Sequence, residues 1–179
     1  MTLSVRMQDE NSAYSETPGG DAWQTWIREY GPRLLLFARQ QTRTEADSED
    51  VLQIALVESW ERTGRNEPPP LPLVFATIRR RAIDWARSND RRAAREQAEL
   101  PGDVPWFDPS LADAELREEL EAAMKKLPQM YREVITLKVW GELTFEQIAE
   151  VLDIPLNTAA SRYRYGLDGL RKQMSRLTV

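Results

Sequence analysis

Neither cysteine nor histidine occurs anywhere in the 179 residues. Without Cys there can be no disulfide and no thiolate metal site. Without His the commonest metal ligand and general base are gone. Catalysis would have to rest on Ser, Lys, Asp and Glu, and these are scattered without a nucleophile–base–orienter constellation. The expectation is a protein that is not an enzyme and that needs no metal or cofactor. Long apolar runs are missing too: none approaches the roughly 20 residues needed to cross a bilayer, and the N-terminus lacks a signal-peptide pattern. A cytoplasmic chain without membrane insertion is expected. Hydrophobic residues at 41% and charged residues at 30% leave enough apolar material for one domain or two small ones.

What is also missing, locally, is charge of one sign. The net charge of −5 argues against a nucleic-acid partner until it is divided along the chain. Residues 44–61 carry six acids and no base, and residues 74–95 carry seven arginines against Asp84 and Asp90. Residues 99–121 carry eight acids against Arg117, and residues 154–179 five bases against Asp168. Two acidic segments thus alternate with two basic ones. A solvated helix face normally mixes signs. A run of arginines repels itself unless a polyanion neutralises it, which favours a nucleic-acid partner.

Apolar periodicity predicts helices throughout. Residues 1–20 are polar and end in Pro18-Gly19-Gly20, which predicts a disordered tail. Asp21 is placed to cap a helix carrying Trp23, Trp26, Ile27 and Tyr30, and Gly31-Pro32 is expected to interrupt it. A new helix would then carry Leu34, Leu35, Phe37 and Ala38. The next, from about Asp47 to Arg62, turns Val51, Leu52, Ala55, Leu56 and Trp60 inward. Pro68-Pro69-Pro70 excludes helix. From Leu71 to about Arg95, Phe75, Ile78, Ala82 and Trp85 form the buried stripe, and the arginines spread over the remaining surface. Trp85 reads better as core than as a base-stacking platform. Pro101-Gly102, Pro105 and Pro109-Ser110 mark residues 96–111 as an acidic linker. The fold class expected is all-α: two small helical domains, residues 21–95 and 112–179, joined by that linker. In the second, Leu116, Leu120, Ala123 and Leu127 face inward, followed by Met130, Val134, Leu137 and Val139.

The most informative stretch runs from Thr144 to Met174. A helix over Thr144–Leu152 is followed by Asp153-Ile154-Pro155 and then by eighteen residues without a breaker. Asp153 falls where a positive φ is usually needed, and Pro155 prevents the first helix from continuing. Leu156, Ala160, Tyr163, Leu167, Leu170 and Met174 make one apolar stripe. Asn157, Thr158, Ser161, Arg162 and Tyr165 lie on the opposite face near its start. Short polar and basic groups there are what a helix-turn-helix presents to the major groove; an αα-hairpin with a solvated face is the plainer alternative.

Taken together the chain resembles the extracytoplasmic-function sigma factors of bacterial RNA polymerase, over roughly residues 21–175. Leu127-Pro128, Tyr131-Arg132-Glu133-Val134, Thr144 to Ala149, Leu152, Asn157-Thr158 and Ser161-Arg162 are similar to the family's region four. Glu49-Asp50-Val51-Leu52-Gln53, and Ala82-Ile83-Asp84 followed by Arg87, are similar to region two. The resemblance implies that Glu49, Asp50 and Gln53 dock on the beta-prime clamp helices of core polymerase, with the beta subunit as a further contact. It implies that Arg79, Arg80, Arg81, Asp84, Arg87 and Arg91 hold and melt the minus-ten element. The loop from Gly64 to Leu71 sits where such proteins accept a flipped base. Asn157, Thr158, Ser161, Arg162 and Tyr165 would read the minus-thirty-five element, and an anti-sigma factor is the implied regulator. The chain departs from the family's usual Trp and Asn at Leu73 and Arg80, from Val and Lys at Ala159 and Ala160, and from Gly at Asp153. The competing reading is a stand-alone helix-turn-helix regulator, which would bind its site tightly without polymerase.

Overall fold

The computed structural model describes residues 20–64, 67–93, 105–107 and 114–177, in which seven helices and no strand are found. The expected tail, and most of the linker, lie outside the described residues. The helices are α1 (Gly20–Gln41), α2 (Glu45–Arg62), α3 (Leu71–Ala93), α4 (Ala114–Lys125), α5 (Gln129–Val139), α6 (Phe145–Leu152) and α7 (Leu156–Leu177). None of them is long and apolar enough to cross a membrane.

The break expected at Gly31-Pro32 does not occur. The helix α1 is continuous, with Pro32 inside it. A proline there removes one backbone hydrogen bond and costs about 3 kcal/mol. Immediately after it, Leu34, Leu36, Phe37 and Ala38 are all buried, and their burial offsets that loss by holding both sides of the proline on one axis. Thr44 starts α2 by accepting a hydrogen bond from the Asp47 amide at 3.0 Å. Val51 and Ala55 are fully buried as expected, whereas Trp60 is exposed at the helix edge and leans on Trp23, 6.1 Å between ring centroids. The triple proline delivers the chain onto α3, where the Pro70 carbonyl accepts from the amides of Leu73 and Val74. Phe75, Ile78 and Ala82 are buried; Trp85 is half-buried, and its indole donates to Asp47 at 2.9 Å.

In the C-terminal half the inward face is shifted from the expected one. Leu116, Met130 and Val139 are exposed, while Glu133, Ile135 and Thr136 are buried. The helix α5 is short and hemmed in on several sides, so its burial is not a single stripe. The helix α7 packs on α5 so closely that a Cβ on Gly166 would lie 2.9 Å from Ile135 Cδ1. Its buried face runs through Ala159 and Gly166, while Leu156 is exposed at the helix start.

The two halves pack against each other. Phe37, Val51 and Phe75 belong to one cluster with Val134, Leu137, Ile148 and Ala159. Thr136 donates to Gln40 Oε1 at 2.8 Å across the junction, and Gln129 to Gln41 Oε1 at 3.0 Å. Both glutamines leave Nε2 buried without a partner in the protein, a deficit of about 1–3 kcal/mol per group.

Candidate nucleic-acid interface

The joint between α6 and α7 is built by three local devices. Thr144 and Gln147 form a reciprocal cap: the Thr144 hydroxyl accepts from the Gln147 amide at 3.2 Å, and Gln147 Oε1 accepts from the Thr144 amide at 2.9 Å. Asp153 takes the left-handed conformation expected of it, φ 53° and ψ 55°. Its amide and that of Ile154 close back on Glu150 and Ala149. The Pro155 carbonyl then starts α7 by accepting from Thr158 and Ala159. Replacing Thr144 by Ala removes one half of the cap. Stability should fall by about 1 kcal/mol, read as a lower denaturation midpoint with an unchanged slope.

The five expected readout residues share the open side of α7. Asn157 and Tyr165 are exposed; Thr158, Ser161 and Arg162 are half-exposed. The Ser161 hydroxyl donates to the Asn157 carbonyl at 2.7 Å, which leaves its oxygen able to accept. Tyr165 is stacked under the Arg164 guanidinium, 4.9 Å from the ring centroid, and its hydroxyl accepts from the same group at 3.2 Å. Arg164, exposed on the same stretch, adds a further cation to this side of the helix. Ala159, one of the departures from the family, is fully buried in the shared core and therefore touches no base.

The expected minus-ten residues are less free than the charge map implied. On α3, Arg81 donates to Glu58 at 2.8 Å and Arg80 pairs with the same carboxylate. Arg81 also lies 4.0 Å from Asp84. Arg79 donates to Glu133 of α5 at 3.1 Å, and Glu133 is only 4% exposed. The arginine run is thus partly neutralised within the chain, and no polyanion is required for α3 to stand. Arg87 and Asp84 are exposed, and Arg91 lies in the last turns of α3.

Hydrogen bonding from Arg81, with Arg80 beside it, holds the Glu58 carboxyl below its ordinary value against the opposing effect of burial. A lowered folded-state pKa contributes stability above the unfolded Glu pKa of about 4.3, which is lost as pH falls through the lowered value. Melting curves of the parent and Glu58→Gln should accordingly differ at neutral pH and converge under acid; a constant gap would show that Glu58 acts by packing rather than charge.

Glu49, Asp50 and Gln53 are all exposed on α2. Ile54 and Val57 are exposed on the same helix, 41% and 55%. A face mixing carboxylates with unburied aliphatics suits a protein partner with basic and apolar features, and its charge opposes DNA.

Comparison with known proteins finds matches in both halves of the chain. Sigma-70 region 2 matches residues 26–92 and Sigma-70 region 4 matches residues 117–167. The ECF RNA polymerase sigma factor RpoE of Cereibacter sphaeroides is 26% identical over 159 residues, spanning 83% of this chain and 84% of its own. The ECF RNA polymerase sigma factor SigK of Mycobacterium sp. (strain KMS) is 29% identical over 131 residues, 69% of this chain and 68% of its own. Among solved structures, the sigma factor RpoE of Bartonella quintana, crystallised with the anti-sigma factor NepR, shares the fold. Its TM-score is 0.70 at 18% identity, over 85% of this chain and 96% of that one.

Proposed function

Because the chain belongs to the extracytoplasmic-function sigma factors, we propose that it joins core RNA polymerase in the cytoplasm and directs initiation at promoters carrying two DNA elements. The observation that carries this is the order of its parts: a match to region two, then one to region four, on one chain whose described elements are all helices. The exposed acidic face of Glu49, Asp50 and Gln53 on α2 is assigned to the beta-prime clamp helices, where like charge excludes DNA. Residues Arg79, Arg80, Arg81, Asp84, Arg87 and Arg91 on α3 are assigned to the minus-ten element. Backbone neutralisation there holds a separated strand, and the proline loop before α3 offers a stiff wall for an unstacked base. Asn157, Thr158, Ser161, Arg162 and Tyr165 are assigned to the minus-thirty-five element, with the beta subunit as the further polymerase contact of that half. An anti-sigma factor is assigned as regulator by kinship with the proteins named above.

Run-off transcription with core polymerase on a pool of promoter fragments tests this. Discrete new transcripts are expected, and their aligned starts would define both elements. Replacing Ser161 and Arg162 together by Ala should lower transcription roughly tenfold or more on a promoter that depends on its upstream element, since each lost base-edge contact is worth about 1–3 kcal/mol. Unchanged transcription would remove both from the interface. Absence of transcripts, together with tight binding of a specific duplex by the free chain, would favour the stand-alone regulator instead.

A further inference from the structure

A cavity of about 290 Å³ lies beside the middle of α1, facing the turn that follows α5. Leu35 and Leu36 give it an aliphatic wall, and Trp106, Phe107 and Trp140 an aromatic one. The aromatic wall is fixed in place. Trp106 and Phe107 are 8% and 5% exposed, and their backbone amides donate to one carboxylate oxygen of Glu121, at 3.0 and 3.3 Å. The Trp106 ring lies under Lys125 and Arg132, 5.3 and 5.2 Å from its centroid. Phe107 and Trp140 meet at 5.3 Å with their planes 47° apart, so the two rings form a wedge rather than a closed stack. Leu35 and Trp140 are half-exposed at the rim, which gives access from solvent.

Among the described residues that line the cavity, the charged ones are Arg33 and Arg39. Arg39 is already committed: it is paired with Glu45 and donates to the Trp106 carbonyl at 3.3 Å. Arg33 is not. Its Nη1 is enclosed by protein without a hydrogen-bond partner, a deficit that favours any acceptor brought to it. Glu142 Oε1 lies 3.2 Å from this nitrogen without making that bond, on a side chain that is 69% exposed. An ion pair so open to water is weak, and a better-aligned anion can displace it. The Tyr30 ring, 5.5 Å from Arg33 Cζ, covers one face of the guanidinium and leaves its N–H edge for that anion.

We infer that this cavity is a binding site for a small aromatic acid, two fused rings bearing one carboxylate or sulfonate. The rings lie between the leucines and the aromatic wall, and the anion sits on Arg33. Volume sets the number of rings. A cavity of about 150 Å³ with apolar walls takes one benzene, and this one is about twice that size. The wedge of fixed rings suits a flat, rigid molecule, which loses less rotamer freedom on binding than a flexible chain does. Apolar walls with one convergent charged group are the usual form of a small-molecule site. None of these residues is among those assigned above to polymerase or DNA, so binding here is independent of the sigma-factor reading.

Titration calorimetry of the full chain with naphthalenesulfonate tests this, with naphthalenemethanol as the neutral counterpart. Expected is single-site binding of the sulfonate with a dissociation constant of roughly 10–100 µM, and of the alcohol about tenfold more weakly. In proton–nitrogen NMR spectra the sulfonate should shift the indole signals of Trp106 and Trp140. Those of Trp23 and Trp60, which meet each other elsewhere on the surface, should stay in place. Leu35→Trp fills the cavity from its rim and should abolish binding, with helix content retained by circular dichroism. Arg33→Gln should bring the sulfonate down to the affinity of the alcohol and leave the alcohol unchanged. Glu142→Gln, at an exposed position, removes the competing carboxylate and should tighten the sulfonate about threefold. A dissociation constant above about 1 mM, shifts at Trp23 and Trp60 instead, or binding that survives Leu35→Trp would overturn the site. Equal affinity for sulfonate and alcohol, or weaker sulfonate binding in Glu142→Gln, would overturn the assignment of the anion to Arg33.

Discussion

Phe75→Ala is expected to lower the free energy of unfolding by about 3–5 kcal/mol, a large share of the 5–15 kcal/mol typical of a domain. Phe75 is 1% exposed and meets the Phe37 ring edge-on, with centroids 5.3 Å apart at 89°. Its cluster draws on α1, α2, α3 and the C-terminal half at once, so the cavity left by truncation has neighbours on every side and cannot collapse onto a free surface. The edge-to-face pair adds about 0.5–1.5 kcal/mol beyond area. Urea denaturation followed by the fluorescence of the six tryptophans measures it. A loss below about 1 kcal/mol would mean that this part of the core repacks readily, and that α3 takes its position from its ion pairs instead. Phe75→Leu, which fills more of the space, should cost clearly less.

Asp50→Arg should leave the fold intact and weaken association with core polymerase at least about tenfold, or 1.4 kcal/mol. The position is exposed, inside α2, and Arg is a good helix former, so no folding penalty is expected. At a basic partner surface the substitution replaces attraction by repulsion, and like-charge contacts cost up to several kcal/mol. The neighbouring carboxylates divide the labour: Glu45 pairs with Arg39 and Glu58 with Arg80 and Arg81, which ties α2 to its own domain, while Glu49 and Asp50 face outward. Co-elution with core enzyme, with circular dichroism as the control for folding, decides the matter. Undiminished binding would place the polymerase face elsewhere on the molecule.

The outcome at the arginine helix shows where local reading stops. Its basic character, the acidic character of α2 and the apolar stripe of Phe75, Ile78 and Ala82 were all legible, because each is a property of one helix. That Arg79 is committed to Glu133 was not, since the partner is 54 residues away and nothing local to either residue pairs them. Pro32 is the opposite case. Locally it argues for a break, yet the burial of Leu34 and Phe37 against other helices carries α1 straight through it.

By itself the amino-acid sequence determined the helical class, the order of region two and region four, and the helix-turn-helix. The reciprocal cap at Thr144 and Gln147, the left-handed Asp153 and the stop at Pro155 act through backbone geometry within a dozen residues. No distant contact is needed to specify them. Tertiary structure alone decided which arginines face solvent, that Ala159 is core rather than contact, and that Trp106 and Phe107 of the linker fill the seam between the halves. Those outcomes depend on which surfaces meet, and burial and ion pairing between residues far apart in the chain leave no periodic trace in it.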